Sequence, residues 1–296
     1  MNTFFYNFVS KILQNNDING LEILSSESND LDYAQIIECV WNLKKEWIEL
    51  IYHQLNYGQK ILSKKIIKQA IKCGIIEIIK IVIDKKISIP DKYFVLACQI
   101  NNYDIVKLLL DYGADVNYQN SQALYECCCE DYYDICQLLL DYGTDITSGR
   151  CLIAACKYGS LKIVQLLLDH GFDPYYDNGK AFNTCCKNNN GFFVSYEFNN
   201  NYYDICRLLL DHGYVINEND PEFINTMIYC IKIGNNCVLQ FILNQGINLD
   251  CLNRYLNGTK FKHEGYNKIF DILIESGFEI NNIGKILLDK DLIIFR

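Results

Sequence analysis

The chain has 296 residues and a formal net charge of −9, and half of its residues are hydrophobic. The hydrophobic share excludes an intrinsically disordered chain. The acidic balance argues against nonspecific nucleic-acid binding, which depends on neutralising phosphates. Apolar runs stay short of the roughly 18 residues that a membrane span needs, and the N-terminus MNTFFYNFVSKIL lacks the basic start and cleavage site of a signal peptide. We therefore expect a folded, cytoplasmic protein with no nucleic-acid or membrane partner.

The first predicted elements are a hydrophobic helical cap over residues 1–30 and a basic segment that follows it. Between Lys44 and Lys92 the chain carries eleven lysines against five acidic residues. Such a segment either meets an acidic partner or forms the solvated face of helices, and the second interpretation is favoured because charge runs usually serve solubility.

A sequence motif of thirteen or fourteen residues then recurs along the chain. It begins at Asp104 (DIVKLLLDYGADVN), Asp134 (DICQLLLDYGTDIT), Lys162 (KIVQLLLDHGFDP), Asp204 (DICRLLLDHGYVIN) and, in a weaker copy, Lys268 (KIFDILIESGFEIN). Self-similarity at a period near 30 residues indicates one supersecondary unit stacked many times. Each copy of the motif contains a glycine after its leucine-rich part, which we call the closing glycine. A glycine suits a helix C-terminus, where the backbone turns left-handed. Each unit should hold a short first helix with small residues and a second helix with leucines.

This unit resembles the ankyrin repeat, roughly AAxxGHxEIVKLLLxxGADVN, and AACKYGSLKIVQLLLDHGFD between Ala154 and Asp173 matches it best. The resemblance extends over residues 31–281, about eight repeats, with residues 282–296 as a C-terminal cap or truncated repeat. It implies an all-α solenoid of ankyrin-type helix-turn-helix repeats. The composition is similar to that of the ankyrin-repeat proteins of giant amoeba-infecting viruses, which implies a viral protein that contacts host proteins in the host cytoplasm.

Two departures from the ankyrin pattern lead to local predictions. The TPLH tetrad of the first helix is absent, so other residues must cap these helices, and the connections after the closing glycines are short. We therefore expect short or abbreviated finger hairpins. Side chains suited to the N-cap position stand at the predicted helix starts: Asp91, Ser121, Asn178, and Asp220 ahead of Pro221.

The cysteines and histidines predict packing rather than chemistry. Fifteen cysteines occur, several of them on the small-residue positions of the first helices, where a free thiol packs as a small hydrophobe. The run Cys127–Cys129 does not predict zinc, because consecutive helix residues point about 100° apart. Cys129 stands on a variable slot that we expect to be exposed, which makes it the best candidate for a reactive thiol. His170 and His212 alternate with tyrosine at a helix end, and no catalytic motif occurs, so we expect no enzyme, no cofactor, no metal and no catalytic residue.

Candidate contact residues come from an insertion and from the family resemblance. About twelve extra residues, within the fourteen-residue stretch NNNGFFVSYEFNNN, separate the two helices of one unit. The Asn tracts are typical of codon expansion, but the aromatic centre is typical of a partner anchor. The resemblance implies a monomeric protein–protein interaction scaffold that uses its concave face, the insertion or both. An adaptor that brings substrates to a host ubiquitin ligase is the alternative. The predicted contact residues are Phe192, Phe193, Tyr196 and Phe198 in the insertion, and Tyr118, Glu130, Lys157, Tyr158, Tyr175 and Tyr176 elsewhere.

Overall fold

The structure is a computed structural model that describes residues 67–68, 70–188, 201–233, 235–247 and 272. Regular structure in these ranges is entirely helical, with no strand, which confirms the predicted all-α class. After helical residues at 67–68 and 70–73 come α1 (Ile76–Asp84), α2 (Asp91–Gln99), α3 (Tyr103–Asp111), α4 (Tyr118–Cys129), α5 (Tyr133–Asp141), α6 (Arg150–Tyr158), α7 (Leu161–Asp169), α8 (Tyr176–Asn188), α9 (Asn201–Asp211), α10 (Pro221–Ile233) and α11 (Asn236–Leu243).

The chain divides into two compact units. Unit 1 comprises residues 1–127 and 134–144, and unit 2 comprises residues 128–133 and 145–296. The predicted terminal caps, residues 1–30 and 282–296, and the insertion centre lie outside the described residues. The proposed limits of the repeat array, 31 and 281, stay predictions for the same reason.

Unit 2 shows the repeat arrangement that the sequence predicts. Helices pair within repeats as α6 with α7, α8 with α9, and α10 with α11. The first helices α6, α8 and α10 pack side by side, and so do the second helices α7, α9 and α11. Small residues allow the close approach of first helices: Ala155 and Cys156 on α6 are fully buried, as are Cys185 and Cys186 on α8.

The second helices bury their aliphatic residues as predicted. On α7, Ile163, Val164 and Leu167 are completely buried, while Lys162 and Asp169 face solvent. Each fully buried Leu or Ile contributes roughly 1.5–3 kcal/mol relative to an exposed one. In unit 1 the same slots of α3 hold the buried residues Ile105, Val106 and Leu109.

The second helices α3, α5, α7 and α9 end in an Asp, a Tyr or His, and a left-handed Gly, and hydrogen bonds from these residues join neighbouring repeats within each unit. The four glycines have φ between +83° and +97°. In unit 1 the Tyr142 hydroxyl donates a hydrogen bond to the Asp111 carboxylate. In unit 2 the His212 Nδ1–H donates to the Leu208 carbonyl at 2.9 Å, and its Nε2 lies 3.4 Å from Asp169 Oδ1. The Tyr/His slot is therefore structural, as predicted.

The predicted short fingers take the form of Asx turns. In each of four turns after closing glycines, the Oδ1 of an Asp or Asn accepts a hydrogen bond from the backbone N–H two residues further along the chain. This local bond makes a compact turn without a hairpin. Hydrogen bonds from the backbone N–H and the side-chain hydroxyl of Thr147 lower the pKa of Asp145, because they favour its ionised form. The four turns begin at Asp115, Asp145, Asp173 and Asn217, with N–O distances of 2.8–3.1 Å.

Only one of the four predicted N-caps is confirmed. Asp220 accepts from the backbone N–H groups of Glu222 and Phe223 at 3.3 and 3.2 Å, with Pro221 first in α10. Asp91 is instead the first residue of α2, after Pro90, and its Oδ1 accepts from the Asp115 N–H.

The predictions for Ser121 and Asn178 were wrong because both residues lie inside left-handed turns. Residues 119–121 and 177–179 have φ between +51° and +69°, so three successive residues coil left-handed before the right-handed helix begins. Such a turn leaves no extended N-cap residue ahead of the right-handed helix. Ser121 instead donates from its Oγ to Asn117 Oδ1 at 3.2 Å.

Candidate functional site

The best candidate surface lies at the C-terminal end of α6, where three side chains from distant positions meet exposed carbonyl groups. The last turn of a helix leaves carbonyl oxygens without partners inside the helix. The Lys157 carbonyl accepts from Asn188 Nδ2 at 2.9 Å and from the Tyr202 hydroxyl at 3.0 Å. The Gly159 carbonyl accepts from Asn201 Nδ2 at 2.9 Å. We call Lys157, Tyr158, Asn188, Asn201 and Tyr202 the α6-end patch.

These bonds fix where the insertion leaves and rejoins the repeat. Asn188 is the last residue of α8 and Asn201 the first of α9, so they are the described residues that flank residues 189–200. Their amide nitrogens bind carbonyls only two residues apart on α6. The two ends of the insertion are therefore held at the same place, next to Lys157 and Tyr158.

The α6-end patch exposes an aromatic ring, that of Tyr158. Tyr158 is 53% exposed, the largest exposed fraction among the described tyrosines. The Lys157 ammonium lies 5.4 Å from the centre of its ring, an arrangement typical of a cation–π contact. Burial and the nearby thiols of Cys185 and Cys156 raise the pKa of Tyr202, so its hydroxyl stays a donor. On the neighbouring first helices, Lys187 pairs with Glu222 at 2.6 Å.

Tyr175 and Tyr176 lie at the other end of the first helices and are used in packing. The Tyr175 hydroxyl accepts a hydrogen bond from the Val215 N–H at 2.6 Å, and its ring lies 5.1 Å from the Tyr214 ring. The Tyr176 ring covers Gly149 closely enough that a β-carbon there would sit 2.3 Å away. Because α6 has nine residues, it separates the two regions by about 13 Å, and the structure does not join all predicted residues into one patch.

The remaining predicted residues divide between described and undescribed parts of the chain. Glu130 is exposed directly after α4, in the same repeat slot as Tyr158. Tyr118 begins α4 in unit 1 and is half-buried. The insertion residues lie outside the described residues, and their proposed role stays a prediction: Phe192, Phe193, Tyr196 and Phe198.

The cysteine predictions hold for packing and fail for exposure. Cys98, Cys128, Cys156 and Cys186 are all completely buried. Cys129 is half-buried, whereas Cys73 is exposed, so Cys129 is not the most accessible thiol. Across the described ranges, no group of three or more His, Cys, Asp or Glu is arranged to hold a metal ion. None of the helices in this part combines the length and apolarity that a bilayer crossing demands.

Comparison with known proteins agrees with the repeat geometry. A family model for ankyrin repeats, in three copies, matches residues 67–150, and a model for a further ankyrin repeat matches residues 151–179. Residues 67–179 are ankyrin repeats. An ankyrin repeat protein of Acanthamoeba polyphaga mimivirus is 33% identical over 99 residues, which are 33% of this chain and 41% of the relative. The match therefore spans about two-fifths of that viral protein.

The ankyrin assignment gives the coarse functional class. Ankyrin repeats generally mediate protein–protein interaction, and proteins built from them are typically non-enzymatic scaffolds. Sequence reasoning placed Lys157 and Tyr158 among the contact positions of this array. It missed Asn201 and Tyr202, whose bonds bridge 42 and 45 residues along the chain. The repeated Asn residues at both ends of the insertion were the only available signal.

Proposed function

We propose that this ankyrin array is a scaffold that binds a partner protein at the α6-end patch. The observation that carries the proposal is the attachment of both ends of the insertion beside the exposed Tyr158. An exposed tyrosine gives a large contact area with few rotatable bonds to immobilise. Aromatic anchors next to a basic group are typical of binding hot spots. The insertion residues, starting from the same place, would extend this surface.

The proposal explains why Tyr158 differs in role from Tyr175 and Tyr176. The Tyr175 hydroxyl and the Tyr176 ring already make contacts within the repeat array, so substituting either residue would disturb folding as well as binding. Tyr158 makes its contacts with Lys157 of its own helix, and its substitution should leave the fold unchanged. In the cytoplasmic setting that the sequence suggests, a rigid repeat array would present this side chain without ordering a loop first.

The test begins with affinity purification and mass spectrometry from the source cell. The partner identified with the full chain is then titrated calorimetrically against three variants. We expect Tyr158→Ala to raise the Kd about tenfold, roughly 1.4 kcal/mol, because it removes the anchor. Deletion of residues 191–198, which keeps Asn188 and Asn201, should weaken binding by a similar factor if the insertion takes part.

The matched control is Tyr103→Ala, which removes a 41% exposed tyrosine from the start of a second helix. Its Kd should stay within about threefold of the parent value. Unchanged binding by both Tyr158→Ala and the deletion would disprove the proposed location. Binding lost on Tyr158→Ala but kept after the deletion would assign the site to α6 alone.

The ubiquitin-ligase adaptor remains a hypothesis from the sequence resemblance. It concerns the C-terminal segment, residues 280–296, which lies outside the described residues. Enrichment of cullin-ligase components in the same purification would favour it over a plain scaffold.

A further inference from the structure

A line of buried thiols runs through unit 2. The sulfur atoms of Cys186 on α8 and Cys206 on α9 lie 3.9 Å apart. The Cys185 thiol points to the Cys156 carbonyl at 3.8 Å, and it also faces the thiols of Cys156 and Cys206. All four side chains are completely buried. Cys186 and Cys206 belong to the two helices of one repeat.

A related cluster occurs in unit 1, where Cys127 takes the repeat slot of Cys185. There Cys127 hydrogen-bonds with Cys98 of the preceding repeat and with Cys136 on the second helix. The slots differ in how other repeats fill them. The slot of Cys127 and Cys185 holds Ala97 and Ala155 elsewhere, and the slot of Cys136 and Cys206 holds Val106 and Val164, which are also buried. Packing alone therefore does not require a thiol at Cys206, whereas the slot of Cys186 also holds Cys98, Cys128 and Cys156.

We propose that Cys186 and Cys206 are a redox modification site, a dithiol that a peroxide oxidises to a disulfide joining α8 to α9. The sulfur of Cys206 attacks one oxygen of hydrogen peroxide, forms a sulfenic acid and releases the first water. The sulfur of Cys186 then attacks the sulfenic sulfur, forms the S–S bond and releases the second water. Two thiols and one peroxide thus give one disulfide and two waters, with two electrons transferred to the peroxide.

The local geometry and electrostatics suit this order of attack. The sulfurs must approach from 3.9 Å to about 2.05 Å, a movement that side-chain rotation and a small helix shift supply. Hydrogen bonds from Cys185 and Cys186 lower the pKa of Cys206, which makes it the better nucleophile. Burial raises the pKa of Cys186. Because both thiols are buried, oxidation requires transient opening of the repeat and should be slow.

The consequence would be a covalent closure of the segment that carries the insertion. The disulfide would connect residue 186 to residue 206 and enclose residues 187–205 in one loop. That loop contains Asn188, Asn201 and Tyr202 of the α6-end patch. Oxidation would therefore restrict the part of the chain that we propose to contact the partner, although the redox site itself does not depend on that proposal.

The test uses the purified full chain incubated with hydrogen peroxide. The protein is then denatured, alkylated and digested without reduction, and its peptides are analysed by mass spectrometry. We expect a crosslinked peptide pair containing Cys186 and Cys206, two hydrogens lighter than the separate peptides and absent after dithiothreitol. Cys185→Ala, which copies Ala155, should retain this crosslink and exclude Cys185 as the bonded partner.

The matched negative control is Cys206→Val, which copies Val164 and keeps the packing. The crosslinked pair should fall to background in this variant while circular dichroism stays unchanged. Full alkylation of Cys206 after peroxide treatment that has oxidised the exposed Cys73 would overturn the proposal. A Cys206 crosslink that persists in Cys186→Ala would overturn it as well.

Discussion

Replacing Gly179 by alanine should lower the free energy of unfolding by about 3 kcal/mol, the sum of backbone strain and overpacking. Gly179 closes the left-handed turn before the right-handed part of α8, with φ at +69°. A β-carbon there would lie 2.4–2.7 Å from atoms of the Tyr214 ring. That ring is buried and stacked on Phe182 with centroids 4.8 Å apart, so it has no free direction in which to move.

The variant Gly213→Ala separates the backbone strain from the overpacking. Gly213 has φ at +94° and open space around the position of the missing β-carbon, so its substitution should cost only the backbone strain, about 1 kcal/mol. Urea unfolding followed by circular dichroism measures both variants. Equal losses in the two variants would contradict the role that we assign to the Tyr214 contact.

Substitutions of Asn183 should change stability in opposite directions. Asn183 on α8 is 1% exposed, and neither its Oδ1 nor its Nδ2 has a hydrogen-bond partner among the described residues. Asn183→Leu, which keeps the same branched skeleton of side-chain heavy atoms, should raise the free energy of unfolding by about 1 kcal/mol, because it removes a desolvated polar group. Asn183→Asp should lower it by about 3 kcal/mol or more at neutral pH, because an unpaired charge would be buried.

The two Asn183 variants are compared in the same urea titration. The repeat pattern supports the tolerance of an aliphatic residue, since the equivalent slot in α6 holds Ile153. A loss of stability in Asn183→Leu would contradict the prediction and would indicate a polar partner for the carboxamide. The aspartate variant tests burial independently, because an exposed position would accept the charge with little loss.

The sequence predicted the features that depend on periodicity. The leucine-rich motif, the small residues and the closing glycines recur with the repeat. Each copy therefore predicts the same pair of helices. The structure confirms the burial of Cys156 and Leu167 and the left-handed backbone of Gly171 and Gly213. The structural role of His212 was also predictable, because tyrosine occupies its slot elsewhere.

The features that sequence reasoning missed depend on exceptions to the repeat. Ser121 and Asn178 are good N-cap residue types, but each lies within a run of three successive left-handed residues. Single-residue preferences do not reveal such a turn. The bonds from Asn201 and Tyr202 to α6 follow from the packing of successive repeats. Asn183 shows the same limit, because nothing in its local sequence distinguishes a buried amide from an exposed one.

Site-specific photocrosslinking at Tyr158 is the most direct test of the proposed binding surface. A benzophenone amino acid is placed at position 158 of the full chain, and at position 103 in a matched control, and each is irradiated with the purified partner. The account predicts at least about tenfold more crosslinked partner from position 158, in proportion to contact at the α6-end patch. Equal yields from both positions, or a higher yield from position 103, would contradict it.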